Sequence, residues 1–370
     1  MAKAGGEAQA QQASKAPVRA RKSAKRATGT APAREEQSGA AHRQALVVLG
    51  MHRSGTSALT GLLEKLGAAG PKTPLQPNEA NPKGYGESRA LMQLHDRLLE
   101  SAGSRWDDWS EFNPGWVRTA AAHRFGKDIR ETISAEFGGA ELMAIKDPRV
   151  CRFANYWIGQ VEADDIDVHA IHVVRNPLEV ARSLQARDGM NLHKGMLLWL
   201  RSVLDAEVAT RGRSRVFVSY ENLLADWRSQ IDQICDVLDI AFPRRSPTLD
   251  LDVDGFLENA LRHQRAQAEE LNQSSIVPAW VSQTYAALVE ASLDGVLGDA
   301  AAARLFGILE AFNDASGIFA PVVVRAEHSL AELGKQMKDA RRSAETEAER
   351  AKEAEARLLA LEEAQQKAEA

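Results

Sequence analysis

Gly50-Met51-His52-Arg53-Ser54-Gly55-Thr56-Ser57 is the segment of this 370-residue chain best suited to gripping an anion. It follows the apolar run Ala45-Leu46-Val47-Val48-Leu49 and opens a helical pattern over Ala58 to Leu66. Two glycines let neighbouring backbone N–H groups turn toward one ligand, and the helix start adds the positive end of its dipole. A nucleoside-triphosphate loop of this spacing reads Gly-x-x-x-x-Gly-Lys-Ser/Thr. Gly50 and Gly55 keep that spacing, but Thr56 stands where the lysine belongs. The cation is instead Arg53, two residues ahead of the second glycine. A second anion site is suggested where the run Val168 to Val174 ends in Arg175-Asn176-Pro177-Leu178-Glu179-Val180-Ala181-Arg182-Ser183. Pro177 suits the first turn of a helix. Arg175 then emerges at the end of a strand, and Ser183 lies about two turns further along.

Those two motifs resemble the sulfotransferase family. Its 5′-phosphosulfate loop has a basic residue followed by Ser-Gly-Thr-Thr/Ser, which Arg53, Ser54, Gly55, Thr56 and Ser57 match residue for residue. Its 3′-phosphate motif has a strand-end arginine, a helix-starting proline and a serine eight residues after the arginine, met here by Arg175, Pro177 and Ser183. A third match is Phe217-Val218-Ser219-Tyr220-Glu221-Asn222-Leu223, whose tyrosine in the family helps hold the nucleotide. The resemblance spans roughly residues 45 to 240, in order. It implies a P-loop-like sulfotransferase fold and a sulfuryl donor, 3′-phosphoadenosine 5′-phosphosulfate (PAPS). It also implies that Arg53 to Ser57 bind the 5′-phosphosulfate, that Arg175 and Ser183 bind the 3′-phosphate, and that Tyr220 borders the nucleotide. A sulfuryl group carries less charge than a phosphoryl group, so Arg53 and backbone donors can serve it without a metal. The late Arg-Lys-Gly loop that closes over adenosine in many members is missing. Leu261-Arg262-His263-Gln264-Arg265 is the nearest basic cluster, equally readable as a solvated helical face.

Sulfuryl transfer needs a group to take the acceptor's proton. Family members use a histidine or a glutamate placed after the phosphosulfate loop, and this chain offers Glu87 and His95, the latter beside Asp96. Asn81-Pro82-Lys83-Gly84-Tyr85-Gly86-Glu87 resembles the Asn-Pro-x-Gly-Tyr-x-Glu segment of bacterial sulfotransferases related to glycan-modifying ones. With Arg53 facing the transferred group, Glu87 is the first candidate base and His95 the second. The competing role for Glu87 is a carboxylate stabilising the next helix start. Lys146 and Arg149, in Lys146-Asp147-Pro148-Arg149, are candidates for the bridging oxygen or an acidic acceptor, with Asp147 holding either cation. Trp106, Trp109 and Trp116 suit either sugar stacking or core packing. A carbohydrate or glycosylated acceptor is expected. The rival readings are a P-loop small-molecule kinase, and an inactive scaffold that works through its C-terminal helix.

These groups need a frame. Leu142 to Ile145 and Val216 to Val218 are further strand candidates, separated by helical patterns over Ser88 to Ser101, Phe153 to Val161, Leu178 to Arg187 and Leu197 to Thr210. Strands alternating with helices predict an α/β three-layer sandwich around a parallel sheet. Its ligands belong at the carboxyl ends of the strands. Residues 45–320 form this expected domain. Residues 1–44, basic and poor in large apolar side chains, are expected to be a disordered tail. From 326 to 370 the chain is nearly all Ala, Glu, Lys, Arg, Gln and Leu, with apolar residues mostly 3 or 4 apart. That pattern predicts a coiled coil that joins copies of the chain, or a solvated single helix. The net charge of −5 argues against a nucleic-acid partner. No apolar run approaches the ~20 residues of a membrane span. Cys151 and Cys235 offer neither a disulfide framework nor a zinc spacing, so a cytoplasmic setting and no metal are expected.

Overall fold

The computed structural model describes residues 42–76, 84, 86–258, 271 and 276–369. Most of the expected basic tail therefore lies outside the described residues. So do Asn81, Pro82, Lys83 and Tyr85 of the loop before Glu87, and the Leu261–Arg265 cluster.

Four strands, β1 (Arg43–Leu49), β2 (Leu142–Lys146), β3 (Ile166–Val174) and β4 (Arg215–Ser219), pair in parallel in the order β2-β1-β3-β4. Val47 stands opposite Ile145 on one side and Ala170 on the other. Because side chains alternate along a strand, β1 feeds two cores. Ala45, Val47 and Leu49 pack with residues of helices α2 (Arg89–Ser101), α3 (Ala120–Phe137) and α4 (Ala154–Glu162). Leu46 and Val48 pack with α1 (Thr56–Lys65), α7 (Tyr220–Ala225), α8 (Trp227–Leu238) and α9 (Pro247–Glu258). A sheet covered on both faces reads as continuous apolar runs, as β1 and β3 do. The expected three-layer α/β sandwich is the observed one.

A further apolar cluster joins α5 (Pro177–Asp188), α6 (Leu192–Ala209), α10 (Ala279–Asp294) and the start of α11 (Asp299–Glu369). α11 buries Leu305, Ile308, Leu309, Phe312 and Ala320, and its later residues are almost all exposed. One helix thus runs through residues 320–326, where the sequence suggests that a domain ends and a separate helix begins.

Local signals fix the ends that matter for the site. Ser88 caps α2, its hydroxyl accepting from the Leu91 N–H at 3.1 Å. Asn176 caps α5 by accepting from the Leu178 N–H at 2.9 Å, with Pro177 next. Gly189, at φ 68°, ends that helix in the left-handed conformation glycine adopts freely.

Candidate functional site

β1 has β2 on one side and β3 on the other, so the chain leaves β1 in one direction and returns on the other side. The crevice outside the strand ends at such a switch point is where ligands bind in open α/β sheets. The loops after Leu49 and Val174 flank it, and the turn after Ser219 borders it.

The phosphate loop is sharply bent. Gly50 and Gly55 have φ of 155° and 91°, and Arg53 has φ 71°. A non-glycine residue in that region stores about 1–3 kcal/mol, held by its surroundings. Those surroundings are visible. The Ser54 N–H donates to the Met51 carbonyl at 3.1 Å, and the Gly50 N–H to the Cys151 sulfur at 3.3 Å. Burial pushes the Cys151 thiol up to about 12, so it supports the loop as a neutral group. Arg175 donates to the Arg53 carbonyl at 2.7 Å, pinning the bent residue itself. Arg53 Nε in turn donates to the Ser183 hydroxyl at 2.8 Å, so motifs 130 residues apart meet. The Arg175 guanidinium is aligned by Glu179 at 3.0 Å and lies 4.7 Å from the centre of the Tyr220 ring. That ring packs on Gly55 so closely that a Cβ there would stand 2.1 Å from it. The five loop residues, Arg175, Ser183 and Tyr220 therefore form one neighbourhood. Thr56 is buried at the first turn of α1, and the fully buried Ser54 hydroxyl has no hydrogen-bond partner.

A second group of side chains gathers at the end of β2. Lys146 donates to the Ser57 hydroxyl at 3.0 Å and to Glu87 at 2.6 Å, joining the phosphate loop to the candidate base. Arg149 lies 3.8 Å from the other Glu87 oxygen and pairs with Asp96 at 2.5 Å and Asp147 at 3.0 Å. Asp147 caps the 3-10 turn Pro148–Phe153 by accepting from the Arg149 N–H at 3.0 Å. Glu87 does not take the helix-start role, which belongs to Ser88; its carboxylate turns to the two cations instead. Burial raises the Glu87 carboxyl above the ordinary value of 4.5, against the opposing pull of Lys146. For Asp147, burial acts upward too, but the Arg149 charge and the His95 hydrogen bond overcome it and hold the carboxyl well below its usual range.

His95 is brought to this cluster but is walled in. It is fully buried, with Nδ1 2.8 Å from Asp147 and Nε2 accepting from the Trp157 indole N–H at 2.9 Å. Both ring nitrogens are thus engaged inside the protein, and Nδ1 carries the proton. The three tryptophans divide. Trp109 and Trp116 are buried, Trp109 stacked on Phe312 with centres 6.2 Å apart. Trp106 is half-buried, its ring edge-on to His52 at 5.0 Å and the Arg187 guanidinium 5.5 Å from its centre. His52 and Arg187 were not singled out by sequence reasoning. His52 Nε2 is buried without a hydrogen-bond partner, and burial, with Arg149 and Arg187 nearby, lowers its pKa well below the ordinary value. Its position one residue before Arg53 was the available signal. Among the described residues, no group of three or more His, Cys, Asp or Glu side chains is placed to hold a metal ion.

A glycine-bearing and an arginine-bearing motif that meet at a switch point beside a buried carboxylate are an arrangement suited to group transfer. The chain belongs to the sulfotransferase family, whose model matches residues 45–244. It is accordingly a transferase. Solved structures similar to it include the sulfotransferase domain of the Synechococcus PCC 7002 olefin synthase, at 20% identity over 71% of this chain and 94% of that one, with a TM-score of 0.33. Another is the sulfotransferase domain from the curacin biosynthetic pathway, at 14% identity over 72% of this chain and 98% of that one, also at 0.33. No curated protein matches the chain.

Proposed function

We propose that this sulfotransferase takes its sulfuryl group from PAPS and delivers it to a hydroxyl or amine of a carbohydrate or glycosylated molecule. The carrying observation is the meeting of Arg53 with Ser183, and of Arg175 with the Arg53 carbonyl and the Tyr220 ring. A nucleotide with a charged group at each end needs such paired sites. The buried, unpartnered Ser54 hydroxyl and the close Gly55–Tyr220 approach fit an anion cradle in the loop. Thr56 at the lysine position disfavours the kinase reading.

On this reading the loop N–H groups and Arg53 hold the phosphosulfate, and Arg175 and Ser183 hold the 3′-phosphate. Glu87 takes the acceptor's proton as the acceptor oxygen or nitrogen bonds to sulfur. The bond from sulfur to the bridging oxygen breaks, and its electron pair stays on the 5′-phosphate. Lys146, already reaching both Ser57 and Glu87, is placed to balance the charge that develops there. Arg149 orients Glu87 and meets the acceptor. His95 is a positioning residue through Asp147. Trp106 provides an aromatic wall suited to a sugar ring. Two free cysteines accord with a reducing, cytoplasmic setting.

Calorimetry with adenosine 3′,5′-bisphosphate and with ATP, each with and without magnesium, tests the donor. The bisphosphate is expected to bind far more tightly, without metal. Equal or better magnesium-dependent ATP binding overturns the proposal. Labelled PAPS with fractionated glycans and lipids tests the acceptor, and label transferred only to non-glycosylated lipid overturns the carbohydrate reading.

A further inference from the structure

The distal two-thirds of α11 carries an apolar stripe that its own domain does not cover. Positions 319, 323, 326, 330, 333, 337, 340, 344, 347, 351, 354, 358 and 361 alternate in steps of 3 and 4, and all are apolar or alanine except Glu347. Phe319 is 61% exposed, Leu330 67%, Met337 74%, Leu358 60% and Leu361 70%. Leaving so many large apolar side chains in water is costly, at about 1.5–3 kcal/mol for each one that burial would shelter. By length and composition the stretch Asp299–Leu358 passes as a membrane span. Beyond Val324, however, Leu330, Leu333, Met337, Leu358 and Leu361 line up on one stripe, with Arg325, Glu332, Lys335 and Lys338 exposed between them. A stripe repeating every 3.5 residues calls for a partner helix.

The charges beside the stripe say which partner. In a parallel pair in register, each flanking residue meets the one five positions later on the other helix. Arg350 then faces Glu355, a match that the symmetry of the pair makes twice. The other facing pairs are Val322 with Glu327, Ser329 with Gly334, Gln336 with Arg341 and Ser343 with Ala348, none of like charge. An antiparallel pair that overlays Leu330 and Leu333 on Leu361 and Leu358 sets Arg350 against Ser343 and Glu355 against Gly334, losing both ion pairs. We infer that a second copy of this chain lies along α11 from Phe319 to Leu361, parallel and in register, making the enzyme a dimer. The seam spans roughly 60 Å at 1.5 Å per residue. Its central alanines let the helices approach closely, and Glu347 faces its own counterpart. This inference does not rest on the PAPS reading.

The test uses the full chain. Light scattering and sedimentation equilibrium at micromolar concentration are expected to give twice the chain mass. Leu358→Asp should raise the dimer dissociation constant by at least about 10-fold. Glu347→Leu should lower it by a similar factor, because it removes a like-charge pair from the seam. Both positions lie on an exposed helix, so circular dichroism of the variants should match the parent. Mild oxidation of Met337→Cys should crosslink the two copies, since equivalent positions adjoin only in the parallel register; the parent chain is the control. A single-chain mass at these concentrations overturns the inference, and so does a single-chain mass accompanied by flotation with phospholipid vesicles. A dimer that Met337→Cys fails to crosslink overturns the parallel register.

Discussion

Glu87→Gln separates the chemistry of the buried cluster from its structural role. The carboxylate and Lys146 are 4% and 2% exposed and 2.6 Å apart. Breaking a buried ion pair from one side costs about 3–5 kcal/mol, because the remaining charge loses its counterion. Here the ammonium keeps the Ser57 hydroxyl at 3.0 Å and the new amide oxygen as acceptors, which brings the expected loss to about 2–3 kcal/mol. In a domain of this size that lowers the melting temperature by roughly 5 °C. Turnover should fall by about 10²–10⁴-fold, the usual range for a lost general base. Adding Lys146→Met should restore most of the stability, since a neutral pair of similar volume replaces the broken one, but not the turnover. The assays are thermal melting, transfer of label from PAPS to whichever glycan fraction the parent enzyme modifies, and calorimetry with adenosine 3′,5′-bisphosphate. Near-parental turnover alongside the lowered melting temperature would refute the base assignment and leave Glu87 as a structural counterion. Loss of bisphosphate affinity in Glu87→Gln would mean that the carboxylate belongs to the donor side.

Three further outcomes follow from the same geometry. The acid limb of turnover against pH should lie above the ordinary glutamate value of 4.5, because burial raises the Glu87 carboxyl; turnover falls as the pH drops through that raised value and the base becomes protonated, and a limb at or below 4.5 contradicts it. Arg175→Ala should weaken bisphosphate binding by about 10²-fold, a lost charge-assisted contact of about 1.5–3 kcal/mol, and should matter less for a nucleotide lacking the 3′-phosphate; equal losses for both nucleotides argue against the assignment. Gly55→Ala should destabilise the fold by more than 1 kcal/mol and weaken nucleotide binding, since its Cβ strikes the Tyr220 ring and its φ is 91°; a melting curve like the parent's contradicts this.

The candidate donor half of the site is legible because its signals are local. A glycine spacing, a strand-end arginine and a proline at a helix start each state their geometry within a few residues, and the four strands follow from apolar runs. The acceptor half depends on distant contacts. Nothing in the sequence near Glu87 shows that Lys146, 59 residues on, would claim its carboxylate and leave the helix cap to Ser88. His95 sits on α2 at a spacing equally suited to a base or a core residue, and only the Trp157 and Asp147 contacts distinguish them. α6 starts at Leu192, ahead of the expected Leu197, because Asn191 caps it and Gly195 allows close packing on Ala181. Glycine in a helix lowers propensity, and tertiary contact overrides it. α3 was not anticipated, although Phe125, Ile129, Ile133 and Phe137, four residues apart, form an apolar stripe that marks it.

The strand order also divides labour in a way that bears on how such an enzyme diversifies. Residues assigned to the nucleotide come from the ends of β1, β3 and β4, whereas Glu87 and Trp106 lie between α1 and β2, and Lys146 and Arg149 at or just after the end of β2. Lys146 and Ser57 are the hinge between the halves. On the proposed assignment, substitutions between α1 and β2 would reshape what is sulfated without disturbing the grip on the donor, provided the Lys146–Ser57 and Lys146–Glu87 contacts survive. The stretch between α1 and β2 is therefore the segment to exchange between relatives when a new acceptor is wanted, and the strand-end motifs are the part to leave alone.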